Sequence, residues 1–305
     1  MSMAQPDDGL PIELIRALAI FAEPPSAVHA KVADVLDIGD APAGDEYAQI
    51  FSFQLYPYAS VHLGPEGMMG GEAADLVAGF WRAVGHVPPP EPDHLSALLG
   101  LYATLLGAEQ SVDGAEAGLV ARSRSALLHE HIAPWVFSFL DRVQALAGGF
   151  YASWASLLSQ VLWEELARGP HVDTLPLHLR EAPGLPDPRE QGGAAFLDGL
   201  LAPVRTGMIL ARADLVRIAH DLELGVRMGE RRYVIENLLG QEPVGILEGL
   251  AAEADAWRER HAAREEGLGP AGAFWVQRAR TAAELLRELA EAGAEALVQA
   301  AEVVR

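Results

Sequence analysis

Five consecutive residues, Glu91-Pro92-Asp93-His94-Leu95, place two carboxylates, an imidazole and a proline-fixed backbone at the start of a leucine-rich segment. Carboxylates near a helix N-terminus are favoured by the helix dipole, and proline presets a first turn, so capping is one reading. The same carboxylates can take a guanidinium bidentately, and an indole face can hold it as a cation. An indole is available in Phe80-Trp81-Arg82-Ala83-Val84-Gly85, where Trp81 stands at a helix end. A third cluster, Tyr47-x-x-x-Phe51 followed by Tyr56-Pro57-Tyr58-Ala59-Ser60-Val61-His62-Leu63-Gly64, is aromatic, kinked by proline and tipped with polar groups. The three clusters together suit an acidic, aromatic groove for an arginine-bearing peptide.

Other chemistries find little support. His129-Glu130-His131 suggests a metal, but on a regular helix residues 129 and 131 point about 200° apart and cannot share one ion, which leaves helix-end or surface histidines. Glu164-Glu165 and Glu265-Glu266 read as solvated helix faces, and Trp154 and Trp163, with Leu157, Leu158, Val161 and Leu162, as core. Gly64-Pro65-Glu66-Gly67-Met68-Met69-Gly70-Gly71 has the glycines of a phosphate cradle but no Lys-Ser/Thr and no preceding strand, so it reads as a turn. There is no Gly-x-Ser-x-Gly or His-Glu-x-x-His. Cysteine is absent, which excludes disulfides, thiolate metal sites and thiol nucleophiles. No catalytic residue, cofactor or metal is expected.

The elements that must position these clusters are helices. Leu14, Leu18 and Phe21 recur at helical spacing, as do Leu95, Leu98, Leu99, Tyr102, Leu105 and Leu106, and no run alternates as a strand. Breakers predict helices near 10–22, 26–38, 46–53, 72–84, 93–107, 115–129, 132–147 and 150–168, one helical bundle. Pro170 to Pro188 carries five prolines and reads as a linker or long surface loop. Helical pattern then returns, with Asp214 as N-cap of a helix stopped at Gly225, a short helix over 230–239, and helices near 243–264 and 271–304. The expected organisation is all-α: a domain over 1–168, a linker over 169–192 and C-terminal helices over 193–305.

The chain has 305 residues with 43 acids, 22 bases and a net charge of −21, and Lys31 is its sole lysine. Residues 1–168 carry 21 acids and 7 bases, and 169–305 carry 22 and 15, so both parts are acidic. That balance argues against nucleic-acid binding. The start lacks a basic n-region and does not read as a secretory signal, and charged residues interrupt every apolar run long before a membrane span. A soluble, cytoplasmic protein is expected.

The order and spacing of these motifs resemble the TorD/DmsD/NarJ family of redox-enzyme maturation chaperones. The matching features are Tyr47…Phe51, Tyr58-x-Ser60, Ala78-x-Phe80-Trp81…Gly85, Glu91-Pro92-Asp93-His94-Leu95 and Glu130-His131-Ile132-x-Pro134-Trp135, spanning about residues 10–168. The resemblance implies a TorD-like helical bundle without catalytic activity. It implies a chaperone that binds the N-terminal or twin-arginine leader region of an apo-molybdoenzyme and holds it until cofactor is inserted. Carried over by position, Trp81, Glu91, Pro92, Asp93 and His94 line the leader-binding region, supported by Tyr58, Ser60, His131 and Trp135. One departure is Leu98, where the family often has Glu. The implied partner is the catalytic subunit with its leader, the chaperone being a monomer or homodimer.

Two other classes compete. Residues 211–239 offer an Asp-capped helix, a Gly-containing turn and an Arg-bearing second helix, the layout of a helix-turn-helix regulator whose Arg227, Arg231 and Arg232 would meet phosphates, opposed by Glu223, Glu230 and Glu236. A small-molecule enzyme with a pocket in the bundle is the other, and would need a His or carboxylate of strongly displaced pKa.

Overall fold

The first apolar stripe buries Ile12, Ile15, Leu18 and Phe21, with Leu14 only half-buried. In the computed structural model the backbone is described for residues 10–40 and 42–303 and the side chains for 11–40 and 42–294. Residues 1–9, 304 and 305, included in the expected domains and last helix, lie outside the described residues. Among the described residues there are helices and no strand, and the chain divides into two units, Met1–Ser60 with Met69–Val172 and Val61–Met68 with Asp173–Arg305.

The first unit contains α1 (Leu10–Ala19), α2 (Ala27–Leu36), α3 (Gly44–Tyr47), the start of α4 (Ala59–Leu63), α5 (Gly71–Ala83), α6 (Leu95–Ser111), α7 (Gly114–Ala126), α8 (Ala133–Leu146) and α9 (Gly149–Arg168). Ser26 caps α2, and the His29 ring fixes that cap from both nitrogens. Nδ1 accepts from the Ser26 N–H at 3.0 Å, which leaves Nε2 to donate to the Ile20 carbonyl at 2.8 Å. The helix expected over 46–53 is instead the short α3 followed by a π-helical turn at Ala48–Ser52. The break expected near 130 is also a π-helical turn, Leu127–Ile132, which runs from α7 into α8. Pro134 explains the widening, because its missing N–H and its ring disfavour a regular bond to the preceding turn.

Aromatic rings form the centre of this unit. Phe51 meets Tyr151 at 5.0 Å and Trp154 at 5.9 Å, both edge-on, and Phe21 meets Phe150 at 4.8 Å. The Trp154 indole N–H donates to the Leu18 carbonyl at 2.9 Å, so this fully buried ring leaves no polar atom unpaired. Trp163 is half-buried and stacks on Phe137. One expectation fails here, for Glu165 is buried rather than on a solvated face. It accepts the Tyr102 hydroxyl at 2.7 Å, and Arg124 donates to that hydroxyl and to Glu109, each at 2.7 Å, while Arg168 also pairs with Glu165. Glu265 and Glu266, in contrast, are exposed as expected.

The second unit contains Val61–Met68, α10 (Leu177–Arg180), α11 (Pro188–Gln191), α12 (Gly193–Leu200), α13 (Pro203–Thr206), α14 (Arg212–Asp221), α15 (Arg231–Gln241), α16 (Pro243–Ala262), α17 (Glu265–Leu268) and α18 (Pro270–Val303). Helices α16 and α18 pack along their lengths, and His261 stacks on Trp275 while its Nε2 meets the Gly207 carbonyl at 2.7 Å. The proline-rich stretch buries Leu179 and Pro186 and carries α10 and α11. Asp214 is not an N-cap. Ala211 holds that position, and the Asp214 carboxylate reaches back to its N–H at 2.8 Å from the third helical residue. Nor does Gly225 end the helix, since α14 stops at Asp221 and the left-handed residue is Glu223, φ 57°. The 222–230 connection is far longer than a helix-turn-helix turn. Arg227, Arg231 and Arg232 bond to Tyr233, the Leu210 carbonyl and Asp198. These contacts count against the regulator reading.

Candidate functional site

Two stretches that are more than thirty residues apart in the chain form the site's frame. Tyr58 and His94 make an isolated antiparallel bridge, through Ala59 N–H to the Asp93 carbonyl at 2.9 Å and Leu95 N–H to the Pro57 carbonyl at 2.8 Å. Both flanking helices start at this bridge, and each needs a cap. The buried Asp93 carboxylate accepts the Ser60 N–H at 3.0 Å and so caps α4 from another part of the chain. His94 caps its own helix, with Nδ1 accepting the Ser96 N–H at 3.2 Å. Pro92 therefore lies outside the helix, which begins only at Leu95. Ser60 is fully buried, and its hydroxyl accepts the Gly70 N–H at 3.1 Å, tying down the glycine-rich turn.

Around this frame stand the groups that reach the surface. Trp81, half-buried at the end of α5, donates its indole N–H to the Pro92 carbonyl at 3.1 Å. The Tyr58 ring meets the His94 ring edge-on at 4.8 Å, and its hydroxyl bonds to Glu91. Glu23, exposed between α1 and α2, accepts the Ser96 hydroxyl at 2.7 Å. Tyr47 donates to the Ala22 carbonyl at 3.3 Å.

The electrostatics follow from this crowding. Burial, then the charges of Glu23 and Glu91, push the Tyr47 phenol up to about 12. Burial and the bond to Glu91 raise the Tyr58 phenol further. Burial lowers the His94 imidazole against the pull of Glu91, Glu23 and Asp93, so it is held neutral. Among the described residues neither Glu23 nor Glu91 has a guanidinium, ammonium or imidazole within 4.0 Å. Both carboxylates are exposed, bonded to neutral hydroxyls, and close to the Tyr47 and Tyr58 rings, an arrangement whose chemistry suits a guanidinium.

Of the nine residues singled out in the sequence, the structure links Tyr58, Ser60, Trp81, Glu91, Pro92, Asp93 and His94 directly. His131 and Trp135 are buried beneath them. His131 meets Phe80, the neighbour of Trp81, at 5.0 Å, and its carbonyl accepts the Trp135 indole N–H at 2.8 Å. His129, on another side of the π-helical turn, is half-buried with its pKa lowered by burial and by His171. Leu98, where a Glu was the alternative, is fully buried, and its surroundings require an apolar side chain. Glu23 and Ser96 escaped the sequence reading because their bond spans 73 positions. The two prolines after Glu23 are the only local sign that the chain turns there.

Residues 25–141 match the family model described as the nitrate reductase delta subunit, and this stretch holds every site residue just described except Glu23 and Ala22. No curated protein and no solved structure matches the chain. Among the described residues no helix is long and apolar enough to cross a membrane. Over residues 25–141 the chain is similar to the nitrate reductase delta subunit family, the NarJ/TorD-type chaperones of molybdoenzyme maturation.

Proposed function

We propose that this protein is a cytoplasmic, non-catalytic chaperone that binds the N-terminal leader of an apo-molybdoenzyme catalytic subunit and holds it for cofactor insertion before export or assembly. The observation that carries this reading is the pair Glu23 and Glu91, exposed carboxylates without a cationic partner beside the rings of Tyr47 and Tyr58. A leader with adjacent arginines supplies the missing charges, one guanidinium for each carboxylate, with the Trp81 and Tyr58 rings as cation-π surfaces. Asp93 and His94 then act as the caps that hold this surface in shape, Ser60 ties in the glycine-rich turn, Pro92 offers its carbonyl to Trp81, and His131 and Trp135 support the wall from below. The exposed side chain of Leu76, one turn before Phe80, offers an apolar contact for the leader's hydrophobic stretch.

The test is titration of the full chain with a leader peptide bearing two arginines and with its double-lysine and double-alanine forms, at low and high salt. The arginine form should bind most tightly and weaken as salt rises. Glu23→Gln with Glu91→Gln should cost about tenfold in affinity, since each exposed pair contributes up to about 1 kcal/mol. Equal binding of all three peptides, or no effect of the double substitution, would sink the proposal.

A further inference from the structure

The second unit contains the opposite arrangement, two arginines without a carboxylate. Arg205 on α13 donates from Nε to the Pro65 carbonyl at 2.6 Å and from Nη1 to the Gly184 carbonyl at 3.3 Å. Arg278 on α18 donates from Nη2 to the Ala182 carbonyl and lies over the Phe274 ring at 4.8 Å. Its Nη1 rests against Gly184, where an added Cβ would stand 3.0 Å away, so both guanidiniums converge on one residue that has no side chain. Both arginines are half-buried. Among the described residues neither has a carboxylate within 4.0 Å, in a chain where acids outnumber bases 43 to 22. Glu66 and Glu181, the chain neighbours of Pro65 and Ala182, are exposed and make no ion pair with either arginine.

Convergent like charges destabilise each other, and the effect is visible: burial and the charge of Arg205 lower the pKa of Arg278. The carbonyl bonds use one edge of each fork. Arg205 keeps both N–H groups of Nη2 and Arg278 keeps those of Nη1 without an acceptor among the described residues. Two positive charges with forks from two helices match a doubly charged tetrahedral oxyanion, which offers separate oxygens to each fork. A carboxylate offers half the charge and two oxygens.

We propose that Arg205 and Arg278 form a binding site for a phosphate dianion, free or as the terminal group of a small phosphate ester. The probe is inorganic phosphate, titrated into the full chain by calorimetry and by thermal melt against sodium chloride at equal ionic strength, with glycerol phosphate in a parallel arm. Heat and a melting shift beyond those of chloride are expected. Stronger binding of the ester assigns the source to a phosphorylated small molecule, and equal or weaker binding assigns it to free phosphate. Arg205→Gln and Arg278→Gln should each weaken binding by about tenfold or more, whereas Arg278→Lys should retain part of it. Because Arg205 also holds Pro65, its variant can lose stability. The unmodified chain and Arg278→Lys then carry the test. Absence of a phosphate effect beyond chloride in the unmodified chain, or unchanged binding in a folded Arg278→Gln, overturns the proposal.

Discussion

Each unit holds a pair of like charges without an ion-pair partner beside polar or aromatic groups, acidic in the first and basic in the second. The first holds Glu23 and Glu91 at its surface beside tyrosines, and the second holds Arg205 and Arg278 around Gly184. Net charge does not reveal this, because the sequence is acidic on both sides of the proline-rich stretch. Elsewhere the same residue types are paired internally, as in the buried Tyr102–Glu165–Arg124 cluster or the ion pairs of Arg217 and Arg260 with Glu253. A charge is informative where the fold brings it near polar or aromatic groups and withholds its counterion.

The comparison breaks most severely if the units are separated. A fragment ending at Val172 keeps Val61–Met68 but loses the rest of the unit to which that segment belongs. Val61, His62 and Leu63 are buried in the full chain, and Gly67 lies against Ala202. The fragment should aggregate or melt without a cooperative transition, checked by size-exclusion chromatography and circular dichroism.

Gly207 and Gly85 give the next largest contrast. Both have left-handed φ, 71° and 83°, but a Cβ at Gly207 would stand 2.5 Å from the Ala279 nitrogen, whereas Gly85 faces open space. Gly207→Ala should cost about 3 kcal/mol and Gly85→Ala about 1 kcal/mol in denaturant melts. Equal costs would show that the α13 to α18 approach relaxes freely. Tyr102→Phe removes the hydroxyl that Glu165 and Arg124 share, and should cost about 2 kcal/mol in the first unit. Glu265→Gln, at the exposed start of α17, should stay within about 0.5 kcal/mol.

Acid sharpens the comparison more gently. Burial lowers the imidazoles of His94 and His129 in the first unit and takes His178 in the second to about 4. A histidine lowered on folding is charged first in the unfolded chain, so stability is complete above about 6.5 and falls as pH drops toward the folded value. For His178 the window runs from 6.5 to about 4. Melts at pH 7 and pH 5 should differ by about 2 kcal/mol more in the parent than in His178→Gln.

The helices were largely legible, because apolar spacing and glycine or proline breaks act locally. The missed features depend on distant residues or on the absence of one backbone donor. Pro134 turned an expected break into a continuous, widened helix. Asp93 reads as a cap in the sequence, but it caps α4, thirty-three positions earlier. Six of the nine site residues come together because they form or flank one bridge, and Trp81 joins them through the Pro92 carbonyl, a pairing the motif order suggests without specifying. Glu165 appeared solvated because its neighbour Glu164 is, and only the helix-facing Tyr102 distinguishes them. The Arg205–Arg278 pair had no sequence signal, lying 73 positions apart on different helices.

The excursion of Val61–Met68 into the second unit gives the chain three crossings between the units. The chain crosses from one to the other at Ser60, returns at Met69 and crosses again at Val172. A protease that cuts only the proline-rich stretch therefore leaves two pieces still threaded together, which should co-purify and separate only in denaturant. Grafting the first unit onto another scaffold requires a designed closure of the gap between Ser60 and Met69 as well as a new terminus after Val172.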